Sequence, residues 1–188
     1  MAQAKTLTPK EMRRVLDSIA SNHHAARNRL MLLMTHWAGM RIGEVSALRI
    51  EDIRSADGGI RHEIRLDVAQ TKGKHARVVF VNDKLHREIV RYLRSIKITD
   101  QRQPLFSTQK RAAFSANTLC QTMNAIYRRA GIEGATSHSG RRSFVTALAS
   151  KGIGVRVLAA LAGHRSIATT QAYIDVNDEM KRSAVELV

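Results

Sequence analysis

The chain has 188 residues, 44% of them hydrophobic, which suits one self-sufficient core and excludes disorder throughout. Its one cysteine, Cys120, cannot form an internal disulfide, and there is no zinc-finger spacing, no signal core and no run near the roughly 20 apolar residues of a spanning helix; secreted and membrane readings drop out in favour of a cytoplasmic one. Thirty-one Lys and Arg against 16 Asp and Glu give a formal charge of +15, so the expected partner is a polyanion, nucleic acid ahead of an anionic membrane surface.

Thr8-Pro9-Lys10-Glu11 reads as a helix start, with Thr8 as N-cap, Pro9 in the first position and Glu11 closing a capping box. Met12, Val15, Leu16 and Ile19 then fall on one face. A second helix is predicted from about Ala25 to Ala38, stopped by Gly39, and a third from Ile42 to Leu48. The pattern changes at the turn Asp57-Gly58-Gly59. Ile60, Ile64, Leu66 and Val68 form a strand-like stretch, Gln70 to Lys74 a turn, and Val78 to Val81 the best strand in the chain. Residues 60 to 81 therefore read as a small antiparallel sheet with Lys72 at a hairpin tip.

Helices return from Asp83 to about Ile96 and from Ser115 to Ala130, where Gly131 stops the chain. Shorter pieces follow at Ser139 to Ser150, Val155 to Ala162 and Ser166 to Tyr173, with a tail helix from Asn177 onward. The basic excess is uneven: residues 101 to 150 carry seven Lys and Arg and a single acid, Glu133. The expected class is mainly α with a small antiparallel β-sheet, in one domain over residues 1–188, its core at about 7–173 and its tail at 174–188.

Four places hold residue types that belong together only if the target is a phosphodiester. Arg41 opens a helix with Glu44 one turn on, a spacing that alone would be a surface ion pair. Lys72, alone, would be a solvated turn residue. His138 and Arg141 are three apart, so one side of a helix would present a proton carrier and a fixed cation. His164 precedes Ser166, a candidate cap for a short helix that carries Tyr173 at a fixed offset; singly, His164 would be a packing histidine and Tyr173 a core aromatic.

In chain order, Arg41, Lys72, His138-x-x-Arg141, Gly163-His164 and Tyr173 nine residues later resemble the catalytic domain of the tyrosine recombinases, the phage integrase family. The surrounding words match too: Gly39-Met40-Arg41-Ile42-Gly43-Glu44, Thr71-Lys72-Gly73-Lys74 and Leu161-Ala162-Gly163-His164-Arg165-Ser166. The likeness runs from about Leu7 onward.

The resemblance implies the recombinase catalytic-domain fold and a site-specific DNA recombinase that breaks and rejoins double-stranded DNA. It assigns Tyr173 as nucleophile, Arg41 and Arg141 as the phosphate clamp, His138 as aid to proton removal, His164 as a phosphate hydrogen-bond donor and Lys72 as the acid for the 5′ leaving oxygen. The arginines replace the metal ions of other nucleases, so no cofactor is expected; Glu44 falls to structure, behind Arg41. Lys74, Arg142 and Arg165 are further candidates for DNA contact. Strand exchange in this family takes place in a tetramer on DNA, and a monomer free in solution is compatible with it. A non-cleaving DNA-binding regulator and a type IB topoisomerase-like enzyme are the alternatives.

The sequence departs from the family at Arg142, where many relatives carry histidine, and at Ser139-Gly140, where a bulkier apolar residue is common. The N-terminal clamp domain of most members is expected to be absent. The chain then reads as a fragment or as a relative of compact single-domain recombinases that invert short segments.

Overall fold

The computed structural model describes residues 4–71, 75–109, 112–172, 181–182 and 185–186. Lys72, Lys74 and Tyr173, and most of the expected tail helix, lie outside the described residues.

Helix α1 (Pro9–Ala20) starts where the capping box places it: Thr8 Oγ1 accepts the Glu11 N–H at 3.2 Å and Glu11 accepts the Thr8 N–H at 2.9 Å. Helix α2 (Ala25–Trp37) is the centre of the molecule. It is buried almost all round, from Leu30 through Thr35, which is why its sequence shows little amphipathic pattern. Gly39 turns the chain at φ +62° into α3 (Ile42–Ala47). A one-turn helix that the sequence reading did not foresee, α4 (Ile50–Ile53), follows at once; Asp52 accepts the Arg49 N–H at 2.8 Å, closing the turn from within.

The sheet is narrower than expected. Strands β1 (Glu63–Leu66) and β2 (Arg77–Phe80) pair antiparallel, with Glu63 opposite Phe80 and Leu66 opposite Arg77. Ile60 makes only an isolated bridge to Arg54, and Val68 is exposed past the strand end. Four residues per strand suffice because the inward set, Ile64, Leu66 and Val79, is all the core needs to cover.

Helices α5 (Asp83–Arg94), α6 (Ala116–Arg129), α7 (Ser139–Ala149), α8 (Val155–Ala162) and α9 (Ile167–Gln171) complete the described fold. Helix α5 ends two residues before the expected Ile96, capped by Ser95, whose Oγ donates to the Tyr92 carbonyl at 2.7 Å. Ser166 occupies the N-cap of α9 as expected, without a side-chain cap bond.

Helix α7 lies against α2 at close range because Gly140 has no side chain. A Cβ there would sit 2.1 Å from Thr35 Oγ1 and 3.0 Å from Thr35 Cβ. Thr35, fully buried and donating to the Leu32 carbonyl at 2.7 Å, fills the space that a larger residue at position 140 would take. Gly140→Ala is therefore expected to cost about 1–3 kcal/mol by overpacking. Thr35→Ala should recover part of that loss and no more, since the contact at 3.0 Å remains. A double-mutant cycle in urea reads this directly, and additive effects would contradict it.

Candidate active site

The site is built around a buried carboxylate. Arg41 is the N-cap of α3, and Glu44, one turn later, is 1% exposed. Glu44 Oε2 accepts the Arg41 N–H at 2.7 Å and Oε1 accepts from Arg41 Nη1 at 2.9 Å, so the carboxylate holds both ends of the arginine. Arg41 Nη2 donates to the Gly163 carbonyl at 2.7 Å, which ties α3 to the loop after α8. The structural role expected of Glu44 is the one its contacts describe.

Arg77, which the sequence reading did not single out, comes in from β2. Its partner across the ladder is Leu66, an inward-facing residue, so the pleat sends the guanidinium inward too. Nε and Nη2 fork onto Glu44 at 3.0 and 2.6 Å, and Nη1 donates to the Leu161 carbonyl at 2.9 Å. A charged residue in the buried phase of a strand was the available signal. Burial pushes the Glu44 carboxyl up, but the hydrogen bonds from Arg77 and Arg41 outweigh it and hold the group below its ordinary value of 4.5.

Arg141 is 5% exposed. It donates through Nη1 to the Gly39 carbonyl and through Nη2 to the Ala162 carbonyl, so it bridges the ends of α2 and α8. The turn ahead of it is pinned to α6: Asn124 Oδ1 accepts the Ser137 N–H at 2.8 Å, and Cys120 Sγ lies 3.1 Å from Ser137 Oγ.

The chain turns at Gly163 with φ +62°, and the Arg77 side chain packs on its bare Cα, 2.6 Å from where a Cβ would stand. The next residue is His164, whose Nδ1 is 2.8 Å from the hydroxyl of fully buried Thr170 on α9. Burial, followed by the charges of Arg141, Arg41 and Arg77, lowers the His164 pKa from 6.5 to about 4.

The unfolded chain therefore binds a proton near pH 6.5 that folded His164 binds only near 4, so its stability contribution is complete above the first value and falls as pH drops towards the second. An NMR titration of the His164 ring should have its midpoint near 4. A midpoint at the ordinary 6.5 would contradict the cationic enclosure.

Arg41, Arg77 and His164 wall an open cavity of about 470 Å³, lined also by Thr71, His75 and Arg165. Thr71 closes the neck of the hairpin: its hydroxyl accepts from the His75 N–H at 3.2 Å and donates to the His75 carbonyl at 2.9 Å. Gln70 anchors that neck to α4 through Asp52 at 2.7 Å.

Of the residues singled out in sequence, Arg41, Arg141 and His164 come together. His138 is the exposed N-cap of α7, with αR backbone angles, and its carbonyl accepts the Arg142 N–H at 2.9 Å; Arg141, three residues on, is buried. Arg165 is exposed at the rim. Arg142 is buried, with Nε donating to Thr6 Oγ1 at 3.1 Å.

A sequence model of the phage integrase family matches residues 5–180. The chain belongs to the phage integrase family. This family member is 33% identical over 185 residues to tyrosine recombinase XerA of Pyrococcus furiosus, which covers 97% of the chain and 61% of the relative. It is 28% identical over 190 residues to transposase A from transposon Tn554 of Staphylococcus aureus, covering 94% and 50%. The chain thus spans between half and about three fifths of the length of these relatives.

Its fold matches the crystal structure of XerA recombinase with a TM-score of 0.78 at 24% identity, over 100% of this chain and 66% of that one. It matches XerH site-specific recombinase, bound to palindromic difH substrate in a post-cleavage complex, with a TM-score of 0.73 at 25% identity, over 96% and 51%. The integrase-family catalytic-domain fold, helix-rich with a two-stranded antiparallel sheet, is the one the sequence led us to expect.

Proposed function

We propose that this chain carries the catalytic domain of a site-specific recombinase that cleaves and rejoins double-stranded DNA through Tyr173. The observation that supports it most is that Arg41 and His164 line one basic cavity while Arg141, held on the Ala162 carbonyl behind the Gly163 turn, adds its charge at His164. Guanidinium groups and an imidazole suit a phosphate whose non-bridging oxygens gain charge during in-line attack.

The step balances without an outside reactant. The Tyr173 oxygen forms a bond to phosphorus as the bond to the 5′ oxygen breaks. The phenolic proton leaves with the help of His138, and the 5′ oxygen receives a proton from Lys72. The 3′-phosphotyrosine keeps the energy of the broken diester, so a 5′-hydroxyl can reverse the reaction without ATP. Support for Lys72 comes from its neighbours, since Thr71 and His75 both line the cavity. For Tyr173 it comes from α9, where Thr170 engages His164 three residues earlier.

Lys74 and Arg165 are the proposed auxiliary phosphate contacts; Arg142, with Nε on Thr6, is the weakest of the three. The functional assembly is a tetramer on DNA, with monomers in free solution, acting in the cytoplasm at the nucleoid or a mobile element. No helix among the described residues is long and apolar enough to cross a membrane.

Nicked duplexes drawn from the flanks of the source gene test the reading, because the nick lets the short product diffuse away and traps the enzyme. A denaturant-resistant protein–DNA adduct is the expected result. Tight binding without an adduct would replace the proposal with the regulator, and relaxation of any supercoiled DNA without site preference would replace it with the topoisomerase-like activity.

A further inference from the structure

We infer that Arg77 is a positioning residue for phosphoryl transfer, which offsets the charge that Glu44 takes from Arg41 and fixes the hairpin to the His164 loop; this inference rests on the proposed cleavage at the same cavity.

The first argument is charge. Glu44 touches both Arg41 and Arg77, at 2.9 and 2.6 Å, and is buried. With Arg41 and Glu44 alone beside Arg141, the carboxylate would cancel one of two cations and leave a single net charge. With Arg77 present, two guanidinium groups hold the carboxylate while Arg141 sits on the Gly39 and Ala162 carbonyls, and the net charge of the four residues is +2. A bound phosphodiester carries one negative charge and a pentacoordinate phosphorus two. Four groups that sum to +2 therefore match the second state better than the first, and only that difference accelerates the step.

The second argument is geometry. Arg77 is the first residue of β2, two positions after the hairpin neck at His75. Its guanidinium hydrogen bonds leave the strand in two directions, to Glu44 on α3 and to the Leu161 carbonyl two residues before Gly163. Its stem packs on Gly163, whose carbonyl in turn holds Arg41. One planar side chain thus sets the relative positions of the hairpin, Arg41 and His164. Its donors act through Glu44 and the backbone, and it is 10% exposed against 28% for Arg41, which fits support better than direct contact.

The full chain with Arg77→Met and Arg77→Lys tests this, against the wild type on the same nicked duplex. Arg77→Met should lower the single-turnover cleavage rate at saturating DNA by about 10- to 100-fold with DNA affinity changed less than about threefold. Arg77→Lys restores the charge without the fork and should recover part of the rate. A readout independent of cleavage is the His164 ring titration, which should move up from about 4 in Arg77→Met and stay near it in Arg77→Lys.

A folded Arg77→Met variant with wild-type cleavage, or one whose rate and affinity fall by the same factor, overturns the inference. Should Arg77→Met not fold, an Arg77→Lys variant that is folded and cleaves no faster than about a thousandth of wild type also overturns it. If the wild type itself forms no adduct, the cleavage reading fails, and the titration still reports whether the Arg77 charge reaches His164.

Discussion

Tyr173→Phe is expected to abolish covalent trapping on nicked DNA, a loss of at least about 10⁴-fold in strand cleavage, while DNA affinity stays within about threefold of wild type. The substitution removes one oxygen and leaves the ring, so a change in binding has no physical source beyond a lost hydrogen bond. The nucleophile is different, because no neighbouring group replaces it: a phenol attached to the chain attacks at the effective concentration the fold sets. Its ordinary pKa is near ~10, and cations around a phosphate favour the phenolate at the moment of attack. Persistent cleavage in Tyr173→Phe would mean that water or another hydroxyl attacks, and a transient covalent link would no longer explain the site.

The second large effect is on stability. Glu44→Gln should cost about 3–5 kcal/mol, because it leaves Arg77 nearly buried beside a neutral amide and Arg41 without its carboxylate. For a chain of this size that is a fall of roughly 6–20 °C in Tm. Glu51→Gln is the control: its pair with Arg49 spans 3.6 Å and is half in solvent, so less than about 1 kcal/mol is at stake. The pH dependence has a definite sign. The folded Glu44 pKa lies below the ordinary 4.5, so its contribution is intact above that value and is lost as pH falls through the lower, folded one. Acid unfolding that is steep below 4.5 in the wild type and shallower in Glu44→Gln is the expected pattern. Equal acid profiles would show that this carboxylate does not link Arg41 and Arg77 energetically.

How much of this was legible in sequence depends on whether the signal was local. Thr8 to Glu11 predicted a helix start because both halves of a capping box lie within four residues, and the structure has both bonds. Gly39 and Gly163 turn the chain where apolar periodicity ends. The α4 turn escaped because Ile50 to Ile53 is too short to show a period, and the sheet was overdrawn because Ile60 and Val68 are β-formers outside the ladder. In the site, Arg41, Arg141 and His164 were found by motif, while Arg77 was missed. Its importance lies in meeting Glu44 across 33 residues of chain, a contact that no local pattern announces.

The most direct test of the account is the chemical identity of the trapped link. Proteolysis of the adduct and mass spectrometry of the nucleotide-bearing peptide should place a 3′-phosphodeoxynucleotide on Tyr173, with the partner DNA strand ending in a 5′-hydroxyl. A nucleotide on any other residue, attachment through a 5′ end, or cut strands bearing no protein would contradict it.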